Sequence, residues 1–313
     1  MSFTPFVPFT PSEKNCKFLS TIGLLKSTDF NEYEIFDDRA VRTDYLLNML
    51  PRMFDGCSIY ICTDLINYFI VSILPKIIKK FVLVSGYSDL TVPNDIRSNV
   101  DGLLNNQFLI KWFAIDCKIN NNIKVQQLPI GLDYHTLFDA YRNKSIPIWE
   151  AHGLLPEIQE QDLMNIRASI DFQRFDKRQL KIYVNFTLNF TDKFNQRHDA
   201  LAKINRKLMH LNLGPIQRTQ TWRNITNYAF VLSPTGFGID CHRTWEALCL
   251  GAIPIVKLPE YGPLFNDLPV LNVNDWSDIN KELLMQTVKD FSTRTFNYDK
   301  LTLDYWIKLI KDS

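Results

Sequence analysis

Three observations predict an α/β protein made of two units on parallel sheets. A strand, helix, strand rhythm runs from SIYIC (58–62) through LINYFIVSILPKIIKK to FVLVS (81–85), and parallel neighbours need a crossover of this kind. A second rhythm, strand, glycine turn, helix, strand, fills residues 230–256, FVLSPTGFGIDCHRTWEALCLGAIPIV. The 313 residues suit two domains of about 150 each.

Taken in order, residues 1–31 are rich in Pro, Ser and Thr without a sustained period, and read as an arm on the first unit. Residues 45–54 predict a helix broken near Pro51. Strand 58–62 feeds a core-facing helix over 65–79, then strand 81–85. Loop 86–93 follows the carboxyl end of that strand, where open α/β sheets place ligands, so Ser85, Tyr87, Ser88 and Asp89 are cleft candidates. A helix over 95–104, a strand over 108–115 and an extended run at 125–128 lead to PIGLDYHTLFD, which carries Gly131, Asp133 and His135. Residues 142–156, with Trp149 and His152, close the first unit, and 157–174 is a charged bridging helix.

The second unit opens with strand 180–186, which delivers Asn185 and Thr187, and a helix over 194–210 with Arg197 in its first turn. Beyond 230–256 come strand 269–273, a turn and helix from Asp275, and an apolar, basic helix at 301–311. The expected units are 1–174, 175–290 and a C-terminal helix segment 291–313. No internal repeat or low-complexity tract is present.

Composition narrows the function. Net charge is +1, from 35 basic and 34 acidic residues, so no bulk field favours nucleic acid or an anionic membrane. The six cysteines show no CxxC pair and no metal spacing, and read as reduced thiols. The apolar stretch 58–78 holds Asp64, Asn67 and Pro75, which argues for a buried strand and helix over a membrane span. The start of the chain lacks a basic then apolar leader, so a cytoplasmic location is expected, and the triplets at Asn143, Asn185, Asn189 and Asn224 carry no glycosylation meaning there.

The glycine turn at 233–240 carries the chemistry. Gly236 and Gly238 permit close backbone approach, and Asp240 is a candidate N-cap for the following helix. First-turn N–H groups beside His242 and Arg243 suit a phosphate or pyrophosphate, with Glu246 one turn further along. Cys241 and Cys249 read as packing residues. The only paired acids, Asp37 and Asp38, lie away from any strand end, so no metal and no cofactor are expected.

The run SPTGFGIDCHRTWEALCLGAIPIV resembles the nucleotide-sugar half of exostosin-like glycosyltransferases of the compact viral and microbial type, whose pattern is SPRGxGxDxHRxWEALxxGxIPIV. Weaker likeness extends through WFAID, LPIGLDYHT, KIYVNFTLNF and TQTWRNITNYAF, covering most of residues 81–275. The resemblance implies a GT-B fold: two Rossmann-like domains facing a cleft, the first on the acceptor side and the second holding the sugar nucleotide. A C-terminal helix packing back on the first domain is expected.

It also implies a transferase moving a sugar from a nucleoside-diphosphate donor to a hydroxyl acceptor on a glycan or glycoconjugate, without a metal. The implied donor residues are Gly236 and Gly238 at the diphosphate, His242 and Arg243 as neutralising groups, and Glu246 on the ribose. Asn185, Thr187, Arg197 and Asp240 join them as candidates. Thr235 stands where the family has Arg, and Arg197, Arg218 and Arg223 are candidates to replace that cation in space. Asp89, Asp133 and His135 are alternative bases, with Asp64 as a further one. Two rival readings are a catalytically inactive Rossmann-like nucleotide-binding or scaffold module and a nicotinamide enzyme. The second lacks the G-x-G-x-x-G spacing.

Overall fold

The computed structural model describes residues 13–31, 39–136, 155–172, 174–188, 193–212 and 214–313. Residues 1–12 of the arm, the Asp37 and Asp38 pair, Asn143, Trp149, His152 and Asn189 lie outside them.

The first sheet contains β1 (Cys57–Cys62), β2 (Phe81–Gly86), β3 (Leu109–Ala114) and β4 (Val125–Gln127), in the order β1-β2-β3-β4 and parallel throughout. All residues of β1 and β2 are buried, as expected of parallel strands covered on both faces. The second sheet contains β5 (Gln179–Val184), β6 (Met209–Leu211), β7 (Tyr228–Leu232), β8 (Ile253–Val256) and β9 (Leu271–Asn272). Its order is β6-β5-β7-β8-β9, again parallel. The helices used below are α1 (Thr21–Lys26), α2 (Arg39–Met49), α3 (Val100–Leu104), α4 (Pro156–Ala168), α5 (Gln196–Lys203), α6 (Arg218–Asn227), α7 (His242–Cys249), α8 (Lys281–Phe291) and α9 (Leu303–Lys311).

The two sheets turn their carboxyl ends toward each other. Ile239 and Asp240, after β7, donate backbone N–H groups to Asp116, which follows β3. Gln127, at the end of β4, donates to the Glu260 carbonyl beyond β8. Two Rossmann-like parallel sheets thus face each other across a cleft. One apolar cluster crosses both units, with Phe18, Tyr134, Trp222, Trp245 and Trp306 in it, while two others fill the individual sheets.

The C-terminal helix does pack back. Leu303 N donates to Lys17 O and Leu19 N to Leu301 O, both at 2.9 Å, so the chain end lies along the segment leading into α1. Glu160 on α4 holds the same segment, accepting from Lys17 N and Phe18 N at 2.8 Å. Residues 17–26 are therefore a built part of the first unit.

Three expected helices are shorter than their patterns. The 65–79 segment is a chain of turns: 3-10 at Thr63–Leu65, α at Ile66–Tyr68, π at Phe69–Ile73 and 3-10 at Leu74–Lys76. Pro75 has no N–H for an α-helical bond, and Ile77 leaves in extended conformation. The 95–104 helix reduces to α3, capped by Asn99. The 194–210 helix ends at Lys203, because Ile204 is extended and Asn205 caps a 3-10 turn at Lys207 N. Ala200, Ile204 and Leu208 repeat every fourth residue and so imitate a helix face, concealing the edge strand β6.

Among the described residues no helix is long and apolar enough to cross a membrane.

Candidate functional site

The strand order of the second sheet reverses between β5 and β7, and open α/β sheets bind ligands outside the carboxyl ends at such a point. The two loops leaving these strands carry Asn185–Thr187 and 233–240. Arg243, in the first turn of α7, reaches across the gap: its Nε donates to Asn185 Oδ1 at 2.8 Å and its Nη2 to Asn185 O at 3.3 Å. Arg197, in the first turn of α5, donates from Nη1 to Thr187 O at 2.8 Å. Both guanidiniums lie against the Phe186 ring, 5.8 Å and 5.7 Å from its centre. These interactions with amide oxygens and an aromatic face orient two cations at the switch point.

The glycine loop is pinned from both sides. Ser233 Oγ and Thr244 Oγ1, 2.8 Å apart, tie it to α7, and Gly236 N donates to Gly238 O. Thr235 is buried, and its hydroxyl has no partner among the described residues. Gly238 is required by a close approach: an added Cβ would lie 2.4 Å from Asp116 Oδ2. This glycine thus makes room for the Asp116 carboxyl. Asp116 also takes the Ile239 and Asp240 N–H groups, at 2.9 and 2.8 Å.

Asp240 is not the N-cap of α7. Cys241 holds that position without a side-chain cap bond. The Asp240 carboxylate instead accepts from Cys241 N, from Trp245 Nε1 at 2.7 Å and from Ile130 N of the first unit at 2.9 Å. It is fully enclosed, and burial raises its pKa to about 6. Burial also pushes the Cys241 and Cys249 thiols up, so both are protonated packing groups, as their sequence context suggested.

His242 and Glu246 stand further along α7. His242 Nδ1 is 2.8 Å from Gly131 O; a carbonyl only accepts, so Nδ1 carries the proton and Nε2 is left toward the cleft. Glu246 Oε1 accepts from Trp222 Nε1 at 3.0 Å, which fixes the carboxylate on the half-buried side of the helix.

Between the units lies a cavity of about 200 Å³ whose lining includes Thr21, Tyr87, Asp89, Ile130, His135 and His242. Tyr87, at φ 53, turns its ring to within 5.2 Å of the His135 ring, and His135 lies 6.1 Å from His242. Ser88 also reaches this cavity, whereas Ser85 is buried and accepts from Trp112 Nε1. Behind His135, Asp133 Oδ1 is 3.3 Å from its Nδ1. Arg218 Nη2 is 3.4 Å from Asp133 Oδ2, and Thr136 N donates to the same carboxylate. Burial works to raise the Asp133 pKa, but His135, Arg218 and His242 together hold it well below the usual carboxylate range.

The candidates therefore separate. His135 and Asp89 line the cavity, while Asp133 supports His135 from behind. Asp64 faces away from this work, since Arg42 binds it through both guanidinium nitrogens at 3.0 and 3.3 Å. Arg218 is engaged with Asp133 and Gln159, and Arg223 is exposed on α6; Arg197 is the cation that joins Arg243. Asp116 was not among the candidates; its position directly after an apolar strand, in WFAID, was the available signal. Among the described residues no group of three or more His, Cys, Asp or Glu could hold a metal ion.

No family model matches the chain, and no curated protein matches it. Solved structures with a similar chain path include one described as trehalose-6-phosphate from E. coli bound with UDP-2-fluoro glucose. It is 10% identical, with 88% of this chain and 77% of that one covered and a TM-score of 0.40. A Burkholderia xenovorans alpha,alpha-trehalose-phosphate synthase (UDP-forming) in complex with glucose-6-phosphate is 8% identical, with coverages of 90% and 77% and a TM-score of 0.37. The N-terminal domain of a Candida albicans trehalose-6-phosphate phosphatase is 13% identical, with 90% and 72% covered and a TM-score of 0.37.

Proposed function

We propose that this chain is an exostosin-like glycosyltransferase that moves a sugar from a nucleoside-diphosphate donor to a hydroxyl of a glycan or glycoconjugate, without a metal. The observation that carries this reading is the pair Arg197 and Arg243, both held against Phe186 at the switch point of the second sheet. Two oriented guanidiniums without a carboxylate partner at Arg243 suit a diphosphate, whose negative charge grows as it leaves. Arg197 takes the place of the cation that the family pattern puts at position 235. The Ile239 and Asp240 N–H groups are occupied by Asp116, so the diphosphate is held by Arg243 and Arg197, with His242 Nε2 beside them.

Glu246, oriented by Trp222, accepts from the ribose hydroxyls, and the donor sugar points past His242 into the cavity bearing His135. There His135 Nε2 takes the proton of the acceptor hydroxyl as its oxygen bonds to the anomeric carbon. The bond from that carbon to the diphosphate breaks, and its electron pair leaves with the phosphate oxygen. Asp133 keeps Nδ1 protonated and balances the imidazolium that forms. Asp89 lines the same cavity as a second acceptor of hydroxyl protons.

Isothermal titration with UDP-, GDP- and ADP-sugars tests the donor half. Binding of one nucleotide class that weakens in Arg243→Ala supports it; no binding by any of them contradicts it. Binding without turnover under any acceptor favours the scaffold reading.

A further inference from the structure

We infer that Asp116 of the first unit is a positioning residue for the donor loop of the second, locking that loop in its ligand-ready shape only when the two units are in contact. The inference rests on the proposed donor site. Asp116 directly follows β3, and its backbone is in the left-handed region, at φ 52. That geometry is anchored from behind, since Val92 N donates to Asp116 O at 3.0 Å. The side chain then enters the other unit, where a single oxygen, Oδ1, accepts both the Ile239 and Asp240 N–H groups.

The contact is reciprocal. Asp240, which donates its N–H to Asp116, returns its own carboxylate to Ile130 N of the first unit, and His242 donates to Gly131 O. Four hydrogen bonds thus fasten residues 239–242 to loops of the opposite unit. Gly238 completes the fit, because any side chain there would strike the Asp116 carboxyl. Neither Arg243 nor His242 lies more than four residues from these bonds, so the clasp sets where both point.

The remaining oxygen, Oδ2, is buried without a partner among the described residues. The acidic groups that act on Asp116 come from every side: Asp240 on the donor loop, Asp89 from the loop after β2, and Tyr261, beyond β8, which feels the Asp116 charge in return. Burial disfavours the charged form of Asp116 most, and the Asp240 and Asp89 carboxylates add to this, while the two N–H bonds partly offset it. Ionising the enclosed carboxyl therefore costs more in the closed clasp than in the open one, and the clasp weakens on alkalinisation.

The experiment compares wild type, Asp116→Ala, Asp116→Asn and Gly238→Ala by hydrogen exchange of the peptide spanning 236–243 and by titration with UDP, GDP and ADP. Asp116→Ala and Gly238→Ala are expected to lose protection at Ile239 and Asp240 and to bind the nucleotide about tenfold or more weaker, the effect of leaving two buried donors unpaired. Asp116→Asn, which keeps the carbonyl acceptor, is expected to restore both, and to bind equally at pH 7 and pH 9 where wild type weakens. Unchanged exchange in Asp116→Ala overturns the clasp. Changed exchange with unchanged nucleotide affinity overturns its role in donor binding. A wild type that binds none of the nucleotides overturns the proposed function, and with it that role, while exchange still decides the clasp.

Discussion

Asp133 Oδ1 stands 3.3 Å from His135 Nδ1, and Arg218 Nη2 stands 3.4 Å from the other carboxylate oxygen. The acid is thereby kept ionised between a cation and an imidazole that faces the cavity. An acid held this far below its usual range is a poor proton acceptor but a good partner for a base. His135→Gln is expected to lower the rate of transfer by about 10² to 10⁴-fold, the usual worth of a general base, with little effect on nucleotide affinity. Asp133→Asn is expected to move the acid limb of the pH-rate profile to lower pH, because the imidazolium loses its counter-charge. Steady-state kinetics from pH 5 to 9 checks both.

Arg243 is positioned by Asn185 and Phe186 in a way that a lysine cannot copy. Each of Arg243→Ala and Arg197→Ala is expected to weaken nucleoside-diphosphate binding by roughly 10- to 100-fold, the worth of a hydrogen bond to a charged group. Arg243→Lys is expected to recover little, since an ammonium makes neither the planar Asn185 contact nor the stack. Calorimetric titration measures all three.

Stability has opposite pH dependences at the two carboxylate groups. Burial raises Asp116 to about 8 and Asp240 to about 6, from an ordinary 3.8. Each folded carboxyl holds a proton that the unfolded chain has released, so unfolding gives up protons in this window. Their stabilising contribution is present below about 3.8, then declines through about 6 and about 8. Asp133 has the reverse sign: its contribution is present above the ordinary carboxylate value and is lost on strong acidification. The melting temperature is expected to fall from pH 6 to pH 9, at about 2–4 °C per kcal/mol for a chain of this size, and to fall less in Asp116→Asn. Calorimetric scans across that range give the comparison.

Gly131 joins two parts of the cleft. Its φ is +71, and an added Cβ would lie 2.4 Å from Leu19 O, a backbone atom with little freedom to move. Gly131→Ala is expected to destabilise the chain by more than about 1 kcal/mol, read by denaturant midpoint, and to weaken nucleotide binding because the Gly131 carbonyl orients His242.

What the sequence revealed depended on how local the controlling interaction is. The strands Phe81–Gly86 and Tyr228–Leu232 were legible because full burial writes a continuous apolar run. The turn between β7 and α7 was legible because Pro, Gly and a helical stripe sit side by side. Strand β6 was hidden, since Ile204 and Leu208 continue the spacing of Ala200 although the α-helix has ended at Lys203 and a 3-10 turn, Arg206–Leu208, leads into the strand. The use of Gly238 was hidden for another reason. Its partner Asp116 lies 122 positions earlier, a distance at which no periodicity carries information. Likewise the grouping of Arg197 with Arg243 depends on strand order, which places β5 beside β7 despite the intervening β6.

The proposed donor site is a place as well as an activity. A crystal of the protein soaked with the sugar nucleotide that binds best tests it most directly. Diphosphate oxygens are expected within hydrogen-bond distance of Arg243 and Arg197, ribose at Glu246, and the sugar reaching past His242 toward His135. A nucleotide bound away from the β5 and β7 carboxyl ends, or a diphosphate displacing Asp116 from Ile239 and Asp240, would contradict it.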